Sequence, residues 1–187
     1  MTAYYSDHFA GQNAVTYADD NTVLAMDKRQ DPYLRHGRMR YSRAEVTIDL
    51  ELGDTVRMME LKTSDCINHV FLTCTAAGAA GRIEMGFHSS SGNHTGPMIE
   101  QNILTFERDV TSALAHVEVF DTGFPANTEF LRGKPLWELV SVVGSQASYT
   151  KDPGENWDLT LGCQLESGTA TTNATTFVVE IYFTSGD

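Results

Sequence analysis

Segments in which every second residue is apolar recur from about residue 44 to the end of the chain, and they constrain the fold more than any other feature. Phe177, Val179, Ile181 and Phe183 occupy alternate positions, and residues 157–163 show the same spacing. A period of two places such residues on one face of a β-strand. Long stretches with the helical period of 3.6 are missing from the sequence, which therefore predicts an all-β fold.

Further candidate strands are short and are separated by loops rich in Gly, Pro, Asp and Ser. They cover residues 45–50, 55–61, 66–74, 82–87, 103–106 and 115–120. Many short strands at this spacing are typical of a sandwich or barrel, and we expect a jelly-roll-like antiparallel β-sandwich over residues 44–187. Residues 135–143 fit either a buried strand or a short helix after proline, and residues 110–116 fit either a strand or a helical turn. Residues 88–97 are predicted to form a long polar loop.

Residues 1–43 differ from this body and are interpreted as an extended N-terminal arm. Aromatic side chains are scattered among polar residues without a helical or strand period up to residue 27, and such segments often become ordered only against a partner. Residues 28–43 then contain six basic side chains and one acidic one, a net charge of +5. This basic strip indicates a contact surface, although a solvated linker explains the same composition.

The overall charge and the cysteine content narrow the function classes. The chain carries −12, so everything outside the basic strip sums to −17, which argues against nucleic-acid binding. No apolar run is long enough for a membrane span, and the first residues do not resemble a secretory signal. Three cysteines without paired spacing argue against a disulfide framework or a zinc site formed by them, and favour synthesis in a reducing cytoplasm.

The sequence contains no recognisable catalytic motif, so we predict neither enzymatic activity nor a cofactor. His88 and His94 lie in one polar loop and could share a metal ion, but no third ligand is identifiable, so we favour an exposed apical loop and predict no metal site. Trp137 and Trp157 could form a sugar-stacking platform, whereas their apolar surroundings favour core packing. Acidic pairs such as Asp19 with Asp20 are explained by an acidic surface.

Several segments of the body, taken in order, resemble the head decoration (cement) proteins of tailed bacteriophages. The resemblance is carried by residues 44–50, 135–139, 152–154, 157–161, 168–172 and 178–182, and it covers about three quarters of the chain. It rests on the pattern and order of these segments. It implies a jelly-roll-like body on the outside of an icosahedral capsid, made in the host cytoplasm, that binds the major capsid protein and clusters as a homotrimer.

The arm is then the predicted partner-binding element, because Arg and Tyr are frequent interface anchors. The predicted contact residues are Tyr4, Tyr5, Phe9, Tyr17, Tyr33, Arg35, Arg38, Arg40, Tyr41 and Arg43. Two alternatives remain for the whole chain: a carbohydrate-binding jelly-roll module, and a tail or adaptor protein used in host attachment.

Overall fold

The computed structural model describes residues 3–5, 39–49, 53–78, 81–120, 133–143, 149–163 and 174–185, and residues 3–5 by their backbone alone. The strands are β1 (Ala3–Tyr5), β2 (Met39–Ile48), β3 (Thr55–Lys62), β4 (Cys66–Cys74), β5 (Arg82–Ser89), β6 (Met98–Asp109), β7 (Leu114–Glu118), β8 (Asn156–Cys163) and β9 (Thr175–Thr184). The helices among the described residues are α1 (Ser91–His94), a single turn, and α2 (Leu136–Val143). No helix in the described part of the chain combines the length and apolar character needed to span a bilayer.

The strands form two sheets with the order expected of a jelly roll. One sheet has the order β2-β9-β4-β7, and the other has the order β1-β3-β8-β5-β6. The eight strands β2 to β9 pair antiparallel, and only β1 pairs parallel, at the β3 edge. These two sheets, which are antiparallel apart from the added strand β1, confirm the predicted all-β sandwich.

The core lies where the apolar faces of both sheets meet. Trp157, Phe87 and Met59 from the five-stranded sheet and Phe177 and Ile181 from the four-stranded sheet are fully buried in one cluster. The alternation of β9 is therefore the signature of one face turned to the core and one turned outward. Cys66 and Cys74 are free thiols, as the cysteine spacing predicts.

The apolar stretch after Pro135 forms helix α2. The N–H groups of Leu136 and Trp137 donate to the carbonyl oxygens of Asp65 (2.9 Å) and Thr63 (3.1 Å) in the β3–β4 turn. These acceptors satisfy the donors that a helix leaves open at its first turn. Leu136, Leu139 and Val140 are buried at helical spacing.

Three other local predictions change in the structure. Strand β2 begins at Met39, five residues before the predicted start of the body, so residues 39–43 lie in the four-stranded sheet. Residues 110–116 do not form a helical turn, since β7 begins at Leu114. The predicted loop of residues 88–97 includes the last two residues of β5 and the turn α1.

Candidate functional site

A buried ion pair lies on the outer face of the five-stranded sheet. Arg57 of β3 places Nη1 3.0 Å from Oδ2 of Asp158 on β8, and the two side chains are 4% and 0% exposed. The same guanidinium donates to the carbonyl oxygens of Ser89 (3.2 Å) and Gly96 (2.8 Å). Arg57 therefore joins β8 to both ends of the segment that contains α1.

His94 of α1 and Glu60 of β3 lie next to this ion pair. His94 Nδ1 lies 2.9 Å from Asp158 Oδ1 and 3.9 Å from Glu60 Oε2. Asn156 Nδ2 donates to Glu60 Oε1 at 2.8 Å. We call Glu60, His94 and Asp158 the acidic–histidine cluster. It combines side chains from β3, α1 and β8 that lie far apart in sequence.

An unusual backbone conformation brings His94 to the cluster. Gly92, Asn93 and His94 all have positive φ, at 65°, 61° and 64°. Glycine and asparagine adopt this region readily, whereas histidine does so at a cost. The turn is held by hydrogen bonds from Thr95 Oγ1 to the Gly92 carbonyl (2.7 Å) and from Ser90 Oγ to the Asn156 carbonyl (2.7 Å). The outer side of the turn is exposed, as predicted for this loop, while these hydrogen bonds and His94 hold it against the sheet.

Burial has the largest effect on the pKa values of the two carboxyl groups of the cluster, Asp158 and Glu60. Burial raises the pKa of Asp158, and this effect outweighs the hydrogen bond from His94 and the charge of Arg57. Burial also raises the pKa of Glu60, and the nearby negative charge of Asp158 adds to the effect. The cluster thus holds two carboxylates that water solvates poorly.

His88 on β5 is the cross-strand neighbour of Asp158, but the ligand atoms that converge belong to Glu60, His94 and Asp158 and not to His88. Its Nδ1 is 3.1 Å from Thr160 Oγ1, and its side chain is buried. Burial lowers the pKa of His88 to about 4, and the charge of Arg57 contributes to the shift. The residue is neutral in the folded protein near pH 7.

Acidification should therefore destabilise the protein through His88. Above pH of about 6.5 the imidazole is neutral in both states, whereas between about 6.5 and 4 only the unfolded state takes up the proton. The free energy of unfolding should fall by up to about 3 kcal/mol across this window. Denaturant unfolding from pH 7 to 4 checks this for the wild type and for His88→Asn, whose amide can replace Nδ1 opposite Thr160.

The His88→Asn variant should lack this component of the pH dependence, and a His116→Gln control, altered at an exposed histidine, should keep it. Parallel stability curves for the wild type and His88→Asn would contradict the assignment.

The outer face of the four-stranded sheet carries a different feature, a half-exposed group of rings that we call the outer aromatic patch: Tyr41, Phe71, Tyr182, His69 and His116. Phe71 stacks on His116 with ring centroids 4.2 Å apart and meets Tyr182 edge-on at 6.0 Å. Tyr41 packs on Tyr182 at 5.2 Å. Aromatic rings at a surface are a common feature of protein interfaces.

Glu180 and Glu118 hold the polar edges of this patch. Glu180 accepts a hydrogen bond from Tyr41 Oη, and its Oε2 lies 3.0 Å from His116 Nδ1. Glu118 Oε1 lies 2.8 Å from His69 Nδ1. Burial and the bond to Glu180 raise the pKa of Tyr41. The patch is therefore built by side chains that fix one another, which reduces the ordering needed when a partner binds.

The predicted contact residues divide between three places. Tyr4 and Tyr5 lie in β1 beside the edge strand β3. Arg40, Tyr41 and Arg43 lie in β2, where Tyr41 belongs to the outer aromatic patch and Arg43 pairs with Glu45 at 2.6 Å. The remaining predicted contacts, Phe9, Tyr17, Tyr33, Arg35 and Arg38, lie outside the described residues, as does most of the predicted arm.

Of the two tryptophans, Trp157 is fully buried in the core and cannot stack on a sugar. Trp137 is partly buried against the same core. Sequence reasoning missed Phe71, Tyr182 and His116 as surface residues, although Tyr182 falls on the outward phase of the β9 alternation. It also missed the acidic–histidine cluster, apart from naming His94 as a candidate ligand.

Comparison with solved structures finds the same fold in a chain of the structure described as the capsid of Ralstonia phage GP4. The match has a TM-score of 0.58 and 14% sequence identity, and it covers 100% of this chain and 99% of that chain. A chain of the cyanophage Pam1 capsid asymmetric unit matches with a TM-score of 0.45 and 13% identity, covering 84% of this chain and 92% of that chain. No protein-family model and no curated protein matches the sequence.

Proposed function

We propose that this chain is a virion structural protein that binds the outside of a phage capsid and stabilises it, as a decoration or cement protein. The observation that carries the proposal is the full-length structural match to a chain of the Ralstonia phage GP4 capsid. The match shows that the two chains share the fold, and the source of the other chain, a phage capsid, supports a virion structural role for this one. The sequence resemblance to head decoration proteins points to the same class.

The N-terminal region supplies one means of attachment in this proposal. Strand β1 adds parallel to β3 through backbone hydrogen bonds, which shows that the β3 edge accepts an added strand. Residues 6–38, between β1 and β2, contain Arg35, Arg38 and Tyr33. These are residue types that anchor interfaces when their partners remove them from water.

The outer aromatic patch supplies a second, preformed contact surface. Its rings are already packed on one another, so docking them against a capsid protein costs little side-chain entropy. Many copies on a lattice then convert individually weak contacts into strong attachment. We propose the major capsid protein as the partner and a homotrimer as the bound unit, and the strong acidity of the body makes a nucleic-acid partner unfavourable.

Electron cryo-microscopy of particles from the virus that encodes the chain tests the location. We expect density for the jelly roll on the outer surface of the shell, in contact with the major capsid protein. Purified protein should also bind, at a saturable number of sites, to particles that lack it. Removal of residues 1–38, which leaves β2 complete, should weaken binding at least about tenfold because the predicted arm anchors are lost.

A matched control replaces Lys151, which is exposed on the turn before β8, with glutamine and should bind as the wild type does. The truncated protein must retain a cooperative unfolding transition for the comparison to hold. Density elsewhere in the particle would overturn the decoration role, and unchanged affinity after truncation would overturn the role of the arm.

A further inference from the structure

Three potential metal-ligand atoms converge on the outer face of the five-stranded sheet. Glu60 Oε2, His94 Nδ1 and Asp158 Oδ1 all lie within 4.8 Å of one another. With two of the separations at 2.9 and 3.9 Å, a point exists at most about 2.4 Å from all three atoms, close to the bond lengths of divalent ions to nitrogen and oxygen. The side chains need only small movements to surround an ion.

Each carboxylate already has a donor on its other oxygen. Arg57 Nη1 donates to Asp158 Oδ2 at 3.0 Å, and Asn156 Nδ2 donates to Glu60 Oε1 at 2.8 Å. These two bonds turn Oδ1 and Oε2 toward His94. Metal sites commonly use such outer hydrogen bonds to orient the ligands. The arrangement is thus more specific than a group of acidic side chains on a surface.

The three side chains also come from separate, fixed elements. Glu60 is on β3 and Asp158 on β8, whose register places them as direct cross-strand partners. The left-handed turn α1 places His94 over the outer face of the sheet. The side chain of His94 is 11% exposed, and that of Glu60 is 27% exposed. Water and ions can therefore reach the cluster past the partly exposed side chains of Glu60 and His94. Asp158 is completely buried and lies at the inner end of the cluster.

The charge of the cluster favours a cation. Two carboxylates and the Arg57 guanidinium give a net charge of −1 when His94 is neutral. A bound cation offsets that charge without displacing Arg57 from Asp158 Oδ2.

We propose that Glu60, His94 and Asp158 bind a divalent transition-metal ion, with Zn²⁺ the best match and water completing the coordination. One imidazole and two carboxylates suit Zn²⁺ and its first-row neighbours, whereas Ca²⁺ and Mg²⁺ prefer oxygen ligands alone. The ion fastens the turn α1 to β3 and β8. This inference is independent of the proposed function, since it concerns the body alone.

Calorimetric titration of the full chain with Zn²⁺, after removal of adventitious metal by a chelator, tests the site. We expect one ion per chain and a rise in the thermal unfolding temperature that grows with Zn²⁺ concentration. Glu60→Gln keeps the acceptor for Asn156 but removes the ligand charge, and His94→Gln removes the imidazole. Both should lose the saturable binding and the temperature shift.

His116→Gln is the matched control, because His116 also lies beside a carboxylate, Glu180, but within the described part of the chain it belongs to no group of three possible metal ligands. It should bind Zn²⁺ as the wild type does. Co²⁺ provides a second readout that needs no variant, since coordination by the protein produces visible absorption bands that Zn²⁺ abolishes by competition.

Saturable binding that is lost in both ligand variants and kept in the control supports the site. Failure of the wild type to bind Zn²⁺ and Co²⁺ overturns it, as does equal binding by the Glu60→Gln variant. Preference for Ca²⁺ or Mg²⁺ over Zn²⁺ overturns the assigned class of ion.

Discussion

Replacement of Arg57 by leucine is expected to lower the free energy of unfolding by about 3 kcal/mol, because it removes the buried guanidinium from the buried carboxylate of Asp158 and leaves His94 as its remaining ion-pair partner. Asp158 is completely buried, and burial already raises its pKa despite the pairing. The variant also removes donors from the carbonyl oxygens of Ser89 and Gly96. A loss of this size is a large fraction of the stability of a typical domain. Denaturant unfolding at pH 7 in the presence of a chelator measures it.

The surface pair Arg43–Glu45 provides the matched control. Its atoms are 2.6 Å apart, but its side chains are 44% and 41% exposed. Water solvates Glu45 after Arg43→Leu, so the change should stay below about 1 kcal/mol. Equal losses for Arg57→Leu and Arg43→Leu would show that burial does not determine the contribution of the ion pair.

A second variant separates the charge from the shape of the Arg57 side chain. In the Arg57→Leu background, Asp158→Asn removes the buried negative charge that has lost its arginine while keeping the size of the side chain. The double variant should be more stable than Arg57→Leu alone, since replacing both charges costs less than isolating one. If the second substitution causes a further loss, the main contribution of Arg57 is its packing and its bonds to the loop carbonyl groups.

The sequence predicts the core of this fold well because one physical rule dominates there. In β9 the inward positions from Phe177 to Phe183 are all apolar, and only the first inward residue, Thr175, is polar, so a period of two is visible without any other information. The start of β2 is harder to see, because residues 39–43 contain two arginines and no alternation of apolar side chains. Their place in the sheet follows from the pairing of β2 with β9, which is more than 130 residues away.

The nature of α2 depends on contacts that the sequence does not display. An apolar run of this length packs equally well as a strand or a helix, and its N-terminal donors reach acceptors in the turn at Thr63 and Asp65, some 70 residues earlier. The acidic–histidine cluster is hidden in the same way. Its members are joined by the pairing of β3 with β8 and by the left-handed conformation at His94, and neither follows from local spacing.

Gly86→Ala is expected to destabilise the protein by about 3 kcal/mol or more, which places it at the severe end of overpacking substitutions. A Cβ atom at this position would come closer than 3.0 Å to the carbonyl oxygens of Glu100 and Gln101. Those atoms belong to the backbone of β6, so no side-chain rotation relieves the overlap. The strands must separate where the β5–β6 register already shifts, between Met85 and Phe87.

Gly162→Ala in the adjacent strand β8 separates this overlap from the general effect of adding a methyl group to a strand glycine. Its new Cβ would make ordinary contacts, 3.6 Å from the Asp54 carbonyl oxygen and from Thr55 Cγ2. The substitution restricts the unfolded chain and should leave stability unchanged or raise it by about 0.4–1 kcal/mol. Denaturant unfolding of both variants measures the two changes in the free energy of unfolding. Similar stabilities would mean that β6 can move away from Gly86 at little cost, and that close approach of the two backbones is not what requires glycine there.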